Sequence, residues 1–438
     1  MLYGLETMMT TYDITKFGAV GDGVTMNTQA IQAAIDACGE GDRVTIPAGT
    51  FVSGSLFIKS DMSLYLEEGA VLLGSGDMED YPLYRYRFEG REQLCHSSLI
   101  NTVDIRDTKT GDAHYETGYI TEEDKRLKNI VIEGKGTIDA NGTTLRRQML
   151  DAKKGIRGRA LALRNVDNLV IKDVTIRHSP AWCVHTIYCK NVVLEHVTIC
   201  TKYAADGTRY DVHNGDGFDP DSCQNVVVRN CTIESQDDCI AIKSGRDEEG
   251  RRVGIPTENV LVEDCTFRYG FGVAVGSEMS GSVRHVLVRN CVFENTHSLG
   301  SVKAPRGRGG VIEDVVYEHI RHHNDKAEHK DCRWFRGAIL VDQFYSHDHY
   351  DFDASEPAGA GTAVIKDIVF RDIVTSTKAG NAIFLAGLPE QYLENIKLIN
   401  VTAQGKTGMI AGNVQGLVME NLQVTADEGA PMQLHNVN

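Results

Sequence analysis

One short phrase recurs along the chain and constrains the fold more than any other feature. It reads Asn129-Ile-Val-Ile-Glu, Asn168-Leu-Val-Ile-Lys, Asn191-Val-Val-Leu-Glu, Asn225-Val-Val-Val-Arg and Asn259-Val-Leu-Val-Glu. It continues as His285-Val-Leu-Val-Arg, Asp314-Val-Val-Tyr-Glu, Asp367-Ile-Val-Phe-Arg, Asn395-Ile-Lys-Leu-Ile and Gly416-Leu-Val-Met-Glu. Most copies start 21 to 39 residues apart, with one gap of 53 between Asp314 and Asp367. Each burst is short, rich in β-branched residues and bounded by turn formers, which is the signature of a strand. One such unit cannot bury its apolar face alone, but stacked units form a continuous core. The pattern predicts an all-β parallel solenoid, a single domain over residues 1–438. A sandwich of antiparallel hairpins should instead show tight Asn-Gly or Asp-Gly turns between paired strands, and these are sparse. Cys231, Cys265 and Cys291 fall at one place in successive repeats and are expected to stack as small buried side chains.

The N-terminal part differs. Ala30, Ile31, Ala34, Ile35 and Cys38 lie at helical spacing, with Asn27 or Thr28 available to cap the start and Gly39 to end it. A short helix there, within a cap over 10–40, would cover the open end of the solenoid, whose bare edge would otherwise pair with other chains. Two stretches break the repeat, 81–127 and 322–353. They are expected to be insertion loops near a cleft, since long loops in such folds usually carry function.

Charge and composition narrow the partners. The formal charge of −16 argues against nucleic acid. No apolar run approaches the ~18–20 residues that span a membrane. The start has no basic segment followed by an apolar one, and the eleven cysteines lack the spacing of a disulfide scaffold or a Cys-x-x-Cys metal site. The expectation is reduced thiols, a cytoplasmic location, no metal and no cofactor. Oligomeric state is not legible.

The densest acidic constellation is Asn214-Gly-Asp-Gly-Phe-Asp-Pro-Asp221, followed by Gln236-Asp-Asp-Cys-Ile-Ala-Ile-Lys243. Asp216 and Asp237 are 21 residues apart, one coil of a solenoid. Adjacent coils lie ~4.8 Å apart, so Asp216 should stand beside Asp237 and Asp238. For both members of that pair to face one cleft, the chain must bend between them. Clustered carboxylates repel, so at least one should hold its proton near neutral pH. Glycoside hydrolysis uses such a set, one acid for the leaving oxygen and a carboxylate for the other side of the sugar. Two other readings fit the same residues: polar turn residues on a solvated edge, and a calcium site built from Asp216, Asp219 and Asp221.

These motifs resemble glycoside hydrolase family 28, the polygalacturonase family of right-handed parallel β-helices. Tyr12-Asp-Ile-Thr-Lys-Phe-Gly-Ala-Val-Gly-Asp-Gly23 is similar to the start of pectin-acting β-helix enzymes. Asn214-Gly-Asp216 matches the family's Asn-Thr-Asp motif with Gly215 in place of Thr, and Gln236-Asp-Asp-Cys239 matches its Asp-Asp motif. The resemblance implies an inverting mechanism, with Asp237 as general acid and Asp216 and Asp238 activating water. It places Lys303 on a lysine that binds a uronate carboxylate, and Tyr345 on an active-site tyrosine. Asn214 and Phe271 would join the substrate-binding set.

Two departures follow. Phe271, in Gly270-Phe-Gly272, stands where the family has a histidine, and Ser301 stands where it has an arginine. Lost guanidinium and imidazole groups put plain galacturonan in question. Arg306 and Arg308 are candidates to supply the missing charge, and His297 the missing imidazole. Gly276-Ser-Glu-Met-Ser-Gly281 resembles the bacterial, exo-acting branch. The expectation is an exo-acting hydrolase of pectic oligosaccharides containing uronides. The alternatives are a β-helix polysaccharide lyase and a non-catalytic glycan-binding or structural β-helix.

Overall fold

The repeated phrase becomes the first strand of each coil. In the computed structural model, which describes residues 9–106, 126–326, 336–345 and 349–438, each coil of the solenoid body contributes strands to three columns. One coil is Gln224–Arg229, Thr232–Ser235 and Ile240–Ile242. The next is Thr257–Glu263, Thr266–Tyr269 and Val273–Val275, followed by Val283–Arg289, Val292–Glu294 and Gly300–Lys303. All pair in parallel, so like stacks on like: Val226 on Val260 on Val286, and Ile233 on Phe267 on Phe293. The chain is a right-handed parallel β-helix. Alternation puts Val226 and Val228 in the core and leaves Val227 between them facing outward. Phe267 and Phe293 stack with centroids 4.7 Å apart.

The polar residue that opens each phrase has its own role. Asn129, Asn168, Asn191, Asn225 and Asn259 all have φ between +53° and +63°. Asparagine enters this left-handed region at less cost than other non-glycine residues. Each side chain also donates to the one before it: Asn168 to Asn129 at 2.8 Å, Asn191 to Asn168 at 3.0 Å, Asn225 to Asn191 at 2.9 Å and Asn259 to Asn225 at 3.1 Å. The sequence repeat is therefore a ladder of corner amides. Cys231, Cys265 and Cys291 stack buried, as expected, and all ten described cysteines are free thiols.

The capping helix forms over Thr28–Ala37 and buries Ile31, Ala34 and Ile35. The expected side-chain cap is absent. Asn27 binds the Val20 backbone and the Thr25 carbonyl instead, and the helix ends at Cys38 rather than Gly39.

Both breaks in the repeat hold more regular structure than the sequence suggests. Within 81–127, Leu83–Phe88 and Arg91–His96 pair as an antiparallel hairpin, and Ile100–Asn101 returns to the solenoid. Within 322–353, Gly337–Asp342 is a fully buried solenoid strand beside Gly300–Lys303. The remaining parts of these breaks, residues 107–125, 327–335 and 346–348, lie outside the described residues. No described helix is long and apolar enough to cross a membrane.

Candidate active site

The acidic motifs lie where the chain turns into the third column of strands. Asp216 stands two residues before Phe218–Asp221, and Asp237 and Asp238 stand just before Ile240–Ile242. The Gly217 N–H donates to the Asp238 carbonyl at 2.9 Å, and the Asp237 N–H to the Gly215 carbonyl at 3.3 Å. The two motifs are therefore neighbours on adjacent coils, as the 21-residue spacing predicts. Gly217 is required by this contact, because a Cβ there would lie 2.5 Å from the Cys239 carbonyl oxygen. The chain bends at 236–239, and both Asp237 and Asp238 face one cavity of about 340 Å³ together with Asp216.

The cavity is a closely packed set of opposite charges. Glu89 and Glu278 join the three aspartates, and Lys243, Lys303, Arg246 and Arg308 oppose them. Lys303 Nζ pairs with Asp238 at 2.8 Å. Lys243 Nζ sits among Glu278 at 3.2 Å, Asp219 at 3.4 Å and Asp216 at 3.6 Å, over the face of Trp182 at 4.6 Å. Burial opposes the charge of Lys243, but Glu278, Asp219 and Asp216 outweigh it and hold the ammonium firmly protonated. Lys303 is likewise raised, burial being outweighed by Asp238 and Tyr345.

Three of the carboxylates are raised as well, because for them burial outweighs the neighbouring ammonium groups. Burial first, then Asp219 and Asp237, hold Asp216 well above the usual carboxylate range. Burial, against the pull of Lys243, pushes Asp219 up to about 7. Burial and the charge of Asp238 push Asp237 up to about 6. The site thus keeps protons on carboxylates near neutrality, as clustered acids should, and the carboxylates titrate as a set.

Most of the substrate-binding residues expected from sequence reach this cavity. Asn214 lines it and accepts from Arg157 at 2.8 Å. Tyr345 lines it beside Lys303, whose Nζ is 5.1 Å from the ring centroid, and burial pushes the phenol up to about 12. Arg308 lines it while held by the Ser277 carbonyl at 2.7 Å and Asp247 at 2.6 Å. Two residues are placed elsewhere. Phe271 does not line the cavity; it stacks on His297 with centroids 4.5 Å apart, so these two rings pack together rather than offering an imidazole. Arg306 also lies off the cavity, bound bidentately to Glu390 at 2.6 and 2.9 Å. Ser301 is buried and shares a hydrogen bond with Ser298 at 2.8 Å.

The acidic strand does not assemble as a calcium site. Asp216 and Asp219 share the Lys243 ammonium, while Asp221 binds Arg87 at 3.0 Å and the Gly245 N–H at 3.1 Å. No group of three potential ligands among the described residues is arranged to hold a metal ion.

Sequence reasoning missed Lys243, Glu278, Trp182, Glu89 and Arg246. Lys243 ends the quoted Gln236–Lys243 motif and Glu278 sits within Gly276–Gly281, so a signal existed for those two. Glu89 comes from the hairpin tip. Gly90 beside it packs so closely that a Cβ would lie 2.4 Å from Arg246 Cβ. The hairpin is anchored from below, where Phe88 stacks on Trp182 at 4.7 Å and Arg87 is buried against Asp221.

Comparison with known proteins agrees with this geometry. The model of the glycosyl hydrolases family 28 matches residues 93–422, and one described as rhamnogalacturonase A/epimerase, pectate lyase-like, matches residues 11–82. A probable polygalacturonase of Vitis vinifera is 30% identical over 404 residues, covering 89% of this chain and 73% of its own. An exo-poly-alpha-D-galacturonosidase of Dickeya chrysanthemi is 29% identical, covering 94% and 71%. The structure of a family 28 exopolygalacturonase from Yersinia enterocolitica superposes with a TM-score of 0.75 at 23% identity, covering 98% of this chain and 77% of that one. Relatives occur in both plants and bacteria, so the branch motif at Gly276–Gly281 does not decide the source. With its β-helix, its aspartates on adjacent coils and this match over most of its length, the chain belongs to glycosyl hydrolase family 28 and is a polygalacturonase-like glycosidase.

Proposed function

We propose that this protein is an inverting, exo-acting hydrolase of uronide-containing pectic oligosaccharides. The observation that carries the reading is the convergence of Asp216, Asp237 and Asp238 on one cavity, with an ammonium on each side. Asp237, pushed up to about 6, holds the proton that the leaving oxygen needs. Asp238, paired with Lys303, takes the proton of the attacking water on the opposite face of the sugar, and Asp216 orients that water. Lys303 spends one of its three donors on Asp238 and turns the others to a substrate carboxylate. Tyr345 and Asn214 hold hydroxyls beside it.

The exo reading is supported by the hairpin. Its tip residues Glu89 and Gly90 lie against Arg246 and Glu278 and wall the cavity at the edge where the third-column strands end. A saccharide entering such a pocket presents a chain end. The described cysteines, all free thiols, fit a reducing compartment and a supply of short fragments.

Time-resolved product analysis on galacturonan and rhamnogalacturonan oligosaccharides tests the proposal. One product size from the first time point is expected, with inverted anomeric configuration by NMR. An early ladder of oligomers refutes exo action, and an ultraviolet-absorbing unsaturated product refutes hydrolysis. Asp237→Asn should lower kcat by about 10²–10⁴ while leaving the circular dichroism spectrum intact. An unaffected rate would remove Asp237 from the mechanism.

A further inference from the structure

Every cation that lines the cavity meets a carboxylate of the protein: Lys243 meets Glu278, Lys303 meets Asp238, and Arg246 and Arg308 meet Asp247. A second cluster of charged and aromatic side chains stands at the opposite edge of the same strands, where they begin. Residues 202–210 form a short arm, closed by the Tyr210 N–H to the Lys202 carbonyl at 2.9 Å and the Ala204 N–H to the Thr208 carbonyl at 2.8 Å. Tyr203 and Arg209 bridge across it. The arm brings Tyr203 edge-on to Tyr269, with centroids 5.2 Å apart. Lys202 Nζ lies 5.0 Å from the Tyr269 ring centroid and Lys326 Nζ lies 4.2 Å from it. Both lysines and both tyrosines are partly exposed. In a chain of formal charge −16, segments far apart in sequence bring ammonium groups and aromatic faces to one place.

The patch adjoins the catalytic backbone. Lys202 follows Thr201, whose hydroxyl donates to the Gly215 carbonyl and accepts from the Gln236 N–H at 3.1 Å. Tyr269 precedes Gly270, where a Cβ would lie 2.0 Å from the Asp237 carbonyl oxygen. The hairpin walls the edge where these strands end, and the patch stands at the edge where they begin.

We propose that Tyr203, Tyr269, Lys202 and Lys326 form a remote subsite that binds a uronate-bearing sugar residue of the chain outside the cavity. The C–H face of the sugar packs on a tyrosine ring, and its carboxylate meets the ammonium groups. Arg209 adds positive charge to the same field: after burial, it is the next cause that lowers the pKa of Lys326. Glu234 acts in the opposite sense and is itself half-buried among Arg268, Lys202 and Lys326. The exposed Arg268 is held by Glu294 at 2.8 Å and is left out of the subsite. The inference rests on the reading of the substrate as a uronide.

The test compares galacturonate dimer and hexamer as substrates for the wild type, Lys326→Met and Tyr269→Ala. The ratio of kcat/KM on the hexamer to that on the dimer should fall, by about ten-fold when both changes are combined. Added salt should shrink the gap between wild type and Lys326→Met. An unchanged ratio overturns the proposal. If the wild type hydrolyses no uronide, the functional reading fails separately, and calorimetric titration with the galacturonate hexamer decides the subsite. Weaker binding to Lys326→Met than to wild type supports it. Equal binding, or equal affinity for the methyl-esterified hexamer, overturns it.

Discussion

Asp219 offers a direct test of the electrostatics. Its side chain is fully buried beneath the cavity, and it shares one ammonium, Lys243, with Asp216 and Glu278. Burial raises it from 3.8 to about 7. Between those values the folded protein holds a proton that the unfolded chain has released, so this group's contribution to stability falls as pH rises through that window. A shift of roughly three units corresponds to about 4 kcal/mol lost above the folded pKa. Asp219→Asn keeps the shape and removes the charge. Urea unfolding of parent and variant is compared first at about pH 5, where the Asp219 carboxyl is neutral in the folded protein, and that difference is the reference. At about pH 8 the variant should gain on the parent by roughly 2–4 kcal/mol. The charge of Asp219 also raises Asp216, so its removal should move the acidic limb of the pH–rate profile to lower pH. A stability difference that stays constant between the two pH values, or that shifts in favour of the parent as pH rises, would refute the assignment of a charge held against burial.

Two further outcomes are expected. Lys303→Met leaves the buried Asp238 without its ion partner, so it should lower stability by about 3–5 kcal/mol and raise KM on uronides more than on neutral glycosides; a melting curve and a KM series measure both. Asn225→Ala places a side chain at φ +58° without the ladder bonds to Asn191 and Asn259 and should lose about 1–2 kcal/mol, whereas Asn225→Gly should lose less. Urea titration distinguishes the two.

The solenoid and the pairing of the two acidic motifs were both readable because stacking converts sequence spacing into spatial position. Residues one coil apart must be neighbours, so a 21-residue interval sufficed to place Asp216 against Asp237. Lys243 was harder to read. Its meaning depends on which carboxylates the register of three coils brings to it, and all of them, Asp216, Asp219 and Glu278, lie on other coils. Phe218–Asp221, with two aspartates and a proline, has the composition of a turn, yet all four residues are buried in a strand. Lys243 and Arg87 supply the opposing charges that let those aspartates stay inside. Arg306 read as a spare active-site cation, but Glu390, 84 residues further on, holds it.

What the sequence determined alone was the periodic part: a parallel coil with polar corners, an apolar core and aspartates in register. These follow from local propensity and a repeat, which act over one coil. What only the tertiary structure decided was the closure of the site. The hairpin reaches across the solenoid to place Glu89 on the cavity and Arg87 on Asp221, a contact spanning 134 residues. Its strands carry no trace of the repeat, and their position is fixed by packing on Trp182 and by buried ion pairs, which a linear pattern does not encode.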